Sequence, residues 1–394
     1  MGQYAVRATL EFDFVESVVV ADLDLDAAER FAANCGPKAH AAHVEVTDPG
    51  RLAELMGDAD VVLNTVGPFF RFGVPVLRAA IEARCDYIDI CDDWEPTLEM
   101  FELDASAREA GVVAVIGVGA SPGVSNMLAV EAARELDEVH ALFTGWDLDS
   151  ASPEHHGSEP SAATVHGIQQ LTGTIRTLRD RRFVDRAPIQ RFDIDYPGLG
   201  RYPVWSIGHP EAVTLPRVYP SLSSCVNVMS TGRLTIFALR RLAWLIDHGW
   251  VSPARVASWV EAGGRTGTSD TQELGEMLAT GDWNKPPPLF ALAEGSKDGA
   301  PARVGAALTS APLGGMGGAT GVPLAVGVAL LHEPGERRPG VHAPEGVFDP
   351  DRFFELLAPR CMPARTSPSE LALVTRSWES VSLVEKLRTL GGGT

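Results

Sequence analysis

Hydrophobic positions between Val61 and Asn126 gather into three short runs, Val61-Val62-Leu63, Tyr87-Ile88-Asp89-Ile90 and Val112-Val113-Ala114-Val115-Ile116. Between the runs, roughly Val74 to Ala83 and Glu95 to Ala110, apolar residues recur at helical spacing. Strands alternating with helices of that length predict βαβ units and a parallel sheet. Each run ends in turn-forming or polar residues: Asn64-Thr65-Val66-Gly67-Pro68, then Cys91-Asp92-Asp93, then Gly119-Ala120-Ser121-Pro122-Gly123. Ligands of open α/β sheets bind outside the carboxyl ends of the strands, so these three ends are the expected site.

The preceding stretch continues the alternation. Met1 to Leu10 reads as a helix beginning at Gly2, and Val18 to Ala21 as a buried strand closing on Asp22-Leu23. A helix follows from Leu25, then a strand over Ala41–Val46 with Thr47-Asp48 at its tip, a helix from Pro49, and a strand over Asp60–Asn64. Twenty residues separate Gly2 from Asp22. A dinucleotide-binding fingerprint places its last glycine at a helix start and an acidic residue at the tip of the next strand. Gly2 and Asp22 fit those two places, while the first strand and first glycines are missing. The expectation is a natural start about ten residues upstream, the length of one strand and its glycine loop. An acidic tip accepts hydrogen bonds from ribose hydroxyls and repels a 2′-phosphate, which favours NAD over NADP. Asp22 can instead cap the helix from Leu25, a task open to Asp24 as well.

Composition narrows the class. A chain of 394 residues has length for two domains, and 45% hydrophobic with 22% charged residues is an ordinary globular balance. The sequence has no run of about 18 apolar residues, nor a basic n-region followed by an apolar stretch at its start. A net charge of −19 disfavours nucleic acid or an anionic membrane as the main partner. Cys35, Cys85, Cys91, Cys225 and Cys361 make no metal-ligand spacing and read as reduced thiols of a cytoplasmic protein.

Three motifs in order, NTVGPFFRFGVPVLRAAIEA, YIDICDDWEP and GVGASPGVSN, resemble the saccharopine dehydrogenase-like oxidoreductases of the saccharopine reductase and carboxynorspermidine dehydrogenase type. A weaker echo lies in Thr320-Gly321-Val322-Pro323 and Gly340 to Glu345. The resemblance implies an α/β fold. Its parts would be a Rossmann domain over 1–124, an inserted α+β substrate and dimerisation domain over 125–312, and a segment over 313–394 returning to the first. It implies hydride transfer to or from an imine or secondary amine built from an amino acid or polyamine and a carbonyl compound. Candidate cofactor residues are Gly2, Asp22, Leu23, Asp48, Asn64, Thr65, Val66, Gly67, Pro68, Asp89, Ser121 and Pro122. The truncated glycine loop and the acidic strand tip depart from NADP-using relatives. Rival readings are a reductase of a C=C or C=O bond and a non-catalytic scaffold.

The middle of the chain reads as a strand over Asp137–Trp146, a surface loop over Ser150–Ser161 holding His155-His156, and a helix over Ala162–Thr172. No metal site is expected there, since no carboxylate or thiol stands at ligand spacing from the histidine pair. Thr174–Leu178 pairs with Arg182–Val184 across a turn, and strands follow at Arg191–Asp195 and Pro203–Gly208. Arg176 and Arg217 are candidates for a substrate carboxylate, and His166 and His209 for acid/base work. Asp92 and Asp93, at a strand end, either bind a substrate ammonium or cap the following helix. Arg233 to Ala257 reads as one helix with Trp244 and Trp250 in the core, and Asp282 to Pro288 as a linker. Val304–Thr309, the glycines from Gly314 to Gly321 and the helix behind them imitate a second dinucleotide motif, with Glu333 at a tempting distance. The reading here is a close-packed helix start instead. Two short helices and the flexible Gly391-Gly392-Gly393 end the chain.

Overall fold

The computed structural model describes residues 1–148, 162–264, 285–335, 337–383 and 385–387. The His155-His156 pair, the start of the Asp282–Pro288 linker and the terminal glycines lie outside them. The described chain forms two compact units: one made of 1–123 with 317–349, the other of 124–316 with 350 onward.

The first unit runs α1 (Gly2–Leu10), β1 (Val18–Asp22), α2 (Leu25–Cys35), β2 (Ala39–His43), α3 (Pro49–Gly57), β3 (Val61–Asn64), α4 (Phe69–Ala83), β4 (Asp86–Asp89), α5 (Trp94–Phe101), α6 (Asp104–Ala110) and β5 (Val113–Val115). The helical segment expected over Glu95–Ala110 is therefore two helices, and β2 begins and ends two to three residues before the expected strand. Asp24, not Asp22, caps α2 by accepting from the Ala27 N–H at 2.9 Å. All pairings among β1–β5 are parallel, but they make two sheets. β1 pairs with β2, and separately β3, β4, β5 and the returning strand Gly340–His342 stand side by side. No ladder joins β1 to β3 among the described residues. In a doubly wound sheet the first strand lies between these two positions.

The returning helix, Gly315–His332, is apolar on every side. Its length and hydropathy would suffice to cross a membrane, yet 67% of it is buried inside the protein, as in a core helix. Glycines set its approach: a Cβ on Gly321 would stand 2.5 Å from the Met1 carbonyl oxygen, and one on Gly327 2.4 Å from Ile88 Cδ1. The strand before it, Ala300–Leu308, is antiparallel to both neighbours in the other unit's sheet. The strand–glycine–helix imitation of a dinucleotide motif is thus not a βα unit.

The second unit carries α7 (Val124–Ala133), β6 (Glu138–Asp147), α8 (Ala162–Gln169), β7 (Ile175–Arg179), β8 (Arg182–Arg186), β9 (Arg191–Tyr196), β10 (Gly200–Ser206), α9 (Glu211–Val218), β11 (Ser224–Ser230), α10 (Arg233–Asp247), α11 (Pro253–Gly264), β12 (Leu289–Lys297) and β13 (Ala300–Leu308). They build a mixed sheet of nine strands whose far edge is Ala372–Arg376. The tail from Pro350 groups with this unit rather than with the first, because Ala372–Arg376 hydrogen-bonds to β13. Strand alternation divides the core: Val226 and Val228 of β11 join Tyr196 and Phe290 in one cluster, while Met229 joins Trp205 and Ile207 in another. The predicted single helix over Arg233–Ala257 is two, and Trp244 and Trp250 are 47% and 72% exposed, so neither belongs to the core.

Candidate functional site

In the first unit, buried hydrogen bonds fix the carboxyl ends of β3, β4 and β5. Asn64 at the end of β3 is buried; its amide accepts from the Val66 N–H at 3.0 Å and donates to the Tyr87 hydroxyl at 2.9 Å. Tyr87 donates in turn to Asp89 Oδ2 at 2.8 Å. The other oxygen of Asp89 accepts the Cys91 N–H at 3.0 Å and the Gly117 N–H at 2.7 Å. One buried carboxylate therefore ties the loop after β4 to the loop after β5. Burial pushes the Asp89 pKa up to about 6, against the lowering effect of these three donors. Asp89, expected to touch cofactor, is fully buried and acts behind the loops instead.

The loop after β5 closes on itself. Gly119 N–H donates to the Pro122 carbonyl at 2.8 Å. Gly123 has φ of +120°, and a Cβ there would lie 2.2 Å from the Gly119 carbonyl oxygen. Only glycine fits such a position. Ser121 stays half-buried, and Pro122 is buried against Gly117. At the neighbouring β3 loop, Thr65 and Val66 are half-buried and Gly67 and Pro68 exposed. Gly2 meets this loop, since a Cβ on it would be 2.9 Å from Thr65 Oγ1.

These places suit parts of a dinucleotide. The N–H groups of Tyr4 and Ala5 go to the Met1 carbonyl, and the helix start before them is the kind of N-terminus that receives a phosphate. Asp22 and Leu23 are exposed at the tip of β1, with Asp22 Oδ1 accepting the Asp24 N–H at 2.9 Å. Asp48 spends Oδ1 on the Gly50 and Arg51 N–H groups at the start of α3. Asp92 and Asp93 are half-buried after β4; Asp93 stands at the N-cap of α5, but its side chain makes no capping bond. The exposed carboxylate at the β1 tip and the loops at the strand ends fit a dinucleotide, and the α1 start fits its phosphates.

The second unit brings two predicted residues together. Gln170 Nε2 lies 3.0 Å from His166 Nε2, and Gln170 Oε1 lies 3.1 Å from His209 Nε2. His209 is 5% exposed, with Nδ1 3.6 Å from Glu211 Oε2 and its ring edge against Trp146. Glu211 Oε1 accepts from Ser125 Oγ at 2.6 Å. The serine bonds a carboxylate rather than a histidine, so this is no activated serine nucleophile. The two arginines are elsewhere. Arg176 makes a two-pronged bond to Asp185 across the β7–β8 hairpin at 2.7 and 2.8 Å, an ion pair that holds the Asp185 carboxyl below its usual range. Arg217 is exposed in the last turn of α9, the end away from His209. Gln170 and Glu211 escaped the sequence reading. The signal for Gln170 was its place four residues after His166, on the same helical face.

The sequence profile of the saccharopine dehydrogenase NADP binding domain family matches residues 1–115. The chain is 26% identical over 249 residues to carboxyaminopropylagmatine dehydrogenase of Synechocystis sp., covering 60% of each chain. It is 23% identical over 204 residues to carboxynorspermidine synthase of Vibrio cholerae, covering 47% of each. The chain thus matches about half to three-fifths of these relatives' lengths. In fold it is similar to saccharopine dehydrogenase (L-Glu forming) of Saccharomyces cerevisiae, with a TM-score of 0.56 at 16% identity over 90% of this chain and 94% of that one. The first unit is accordingly a nicotinamide-dinucleotide domain on a Rossmann-type sheet. Residues 1–115 match the saccharopine dehydrogenase NADP binding domain family, and the chain is similar to the saccharopine dehydrogenase-like oxidoreductases.

Proposed function

We propose that this chain is a cytoplasmic oxidoreductase that transfers hydride to or from the carbon of an imine or secondary amine. That group would be formed between an amino acid or polyamine and a carbonyl compound. The observation that carries the reading is the set of strand ends at β3, β4 and β5, in a unit whose β1 tip presents an exposed carboxylate. The names of the two relatives, a carboxyaminopropylagmatine dehydrogenase and a carboxynorspermidine synthase, point to polyamine-like substrates.

The bound nicotinamide supplies or accepts the hydride. What this chain must do is orient, exclude water and handle one proton. Asp22 holds the adenosine ribose and disfavours a 2′-phosphate, making NAD the preferred cofactor although the family is described by NADP. The Asn64–Pro68 and Gly119–Gly123 loops, braced by Asp89, offer backbone groups at the strand ends. Asp92 and Asp93 attract a substrate ammonium. His166 and His209 serve as the acid/base pair in the unit that takes the substrate. The second unit also carries the contact between two copies of the chain.

Fluorescence titration with NADH and NADPH, followed by turnover assays pairing amino acids or polyamines with aldehydes and keto acids, tests this reading. Binding of NADH with amine-dependent turnover supports it. Binding with turnover only on C=C or C=O compounds replaces the substrate class, and failure to bind either nucleotide returns the chain to a scaffold.

A further inference from the structure

Two histidines in the second unit are joined through one amide, and the join depends on a glycine. Gly208 lies two residues beyond β10, and a Cβ there would stand 2.7 Å from Ile175 Cγ2 and 3.5 Å from the Gln170 carbonyl oxygen. Without one, the Gly208 N–H reaches that carbonyl at 3.3 Å, and the next residue, His209, faces the Gln170 side chain. The Gln170 N–H donates to the His166 carbonyl at 3.0 Å, which keeps Gln170 on the helical turn and beside the His166 ring. The amide thus lies between the two Nε2 atoms, 3.0 Å from one and 3.1 Å from the other.

A primary amide has an oxygen that only accepts and a nitrogen that only donates. With the oxygen toward His209 and the nitrogen toward His166, His209 carries hydrogen on Nε2 and His166 presents a lone pair there. Turning the amide over exchanges the roles and cannot make them alike. The structure takes the first arrangement, with Gln170 Oε1 facing His209 and Gln170 Nε2 facing His166.

We propose that Gln170 is a positioning residue that locks the two histidines into opposite tautomers, hydrogen on Nε2 of His209 and on Nδ1 of His166. The inference rests on the proposed acid/base use of these rings, and it supplies the ring nitrogen at which each would give or take a proton. One amide would keep a base and an acid ready in the same unit, a division of labour otherwise made by separate environments.

Nitrogen-15 NMR of histidine-labelled protein reads the roles directly, with the two rings assigned from His166→Gln and His209→Gln. In the wild type His209 shows hydrogen on Nε2 and His166 does not. In Gln170→Glu, whose side chain offers acceptors to both, both rings carry it. In Gln170→Met, which keeps the bulk, the wild-type pattern is lost. The same state on both Nε2 atoms in the wild type, or a pattern unmoved by Gln170→Met in folded protein, overturns the proposal. The spectra need no turnover, so they stand even if the proposed reaction fails. Where turnover is found, Gln170→Met lowers kcat by about 10²-fold, the lower end for acid/base catalysis, with KM within about twofold. A fall in KM-dependent binding with unchanged kcat counts against it.

Discussion

Tyr87 and Asp89 sit two residues apart on β4, on the same face of the strand, and the phenol donates to the carboxylate at 2.8 Å in a fully buried pair. The pair lies between the loops after β3 and β5, since Asn64 donates to Tyr87 and Gly117 N–H donates to Asp89. Its chemistry makes the site's frame sensitive to pH.

Burial raises the Asp89 pKa from 3.8 to about 6, so the native state holds this proton more tightly than the unfolded chain. The contribution is therefore fully present below pH 3.8 and lost as pH rises through about 6. Subtracting the unfolding free energy of Asp89→Asn from that of the wild type should give a difference that falls by about 2–3 kcal/mol between these limits. Denaturant titrations at half-unit pH steps measure it. A flat difference refutes the assignment.

Gly123 and Gly111 separate crowding from backbone strain. Both have positive φ, but a Cβ on Gly123 meets backbone at 2.2 Å while one on Gly111 meets nothing within 4 Å. Gly111→Ala should cost about 1–2 kcal/mol, the left-handed penalty alone. Gly123→Ala should cost about 3 kcal/mol or more, because the Gly119–Gly123 closure must open. Urea midpoints of the two variants make the comparison.

At the β1 tip, Asp22→Ala should weaken NADH binding about tenfold and leave NADPH binding equal or tighter, the loss of one charge-assisted ribose contact. Parallel fluorescence titrations decide. Equal weakening for both nucleotides would remove Asp22 from discrimination.

On α10, Leu234 and Phe237 are 87% and 63% exposed, and Trp244 continues their stripe. Arg241 lies over the Phe237 ring on α10, and on α11 Arg255 lies over Trp259, two basic-aromatic pairs on a chain of net charge −19. The contact between two copies proposed above would bury this stripe on both of them. Light scattering should find a dimer for the wild type and a monomer for the Phe237→Asp, Trp244→Asp double variant, with helicity unchanged. A wild-type monomer ends this reading.

Much of the first unit was legible because its strands are continuous apolar runs with punctuated ends, from which Asn64, Asp92 and the Ser121-Pro122 turn could be placed. Asp89 could not be judged so well: a polar residue at a strand end reads as ligand-facing until its partners, Tyr87 and the Gly117 N–H, are seen. Trp244 and Trp250 misled for the opposite reason, since α10 is apolar on two faces and periodicity cannot say which one is covered. Ala372–Arg376 was missed as a strand because it is short and pairs with β13, some 70 positions earlier. The His166–Gln170–His209 join was hidden likewise, in a contact between a helix end and a distant turn.

The returning strand adds a consequence for how the chain is made. Gly340 pairs with Val113, a separation of 227 residues, so the sheet of β3, β4 and β5 lacks its outer strand until that intervening length has been synthesised. Closing so long a loop costs little more entropy than closing a shorter one, because the cost grows only with the logarithm of length. Timing is the larger matter. The second unit emerges from the ribosome while β5 still has an open edge, and at about 5–20 residues per second the wait lasts about 11 to 45 seconds. During that interval the first unit is an unfinished domain with a sheet edge exposed to other chains, so its safe assembly depends on how quickly the intervening unit folds out of the way.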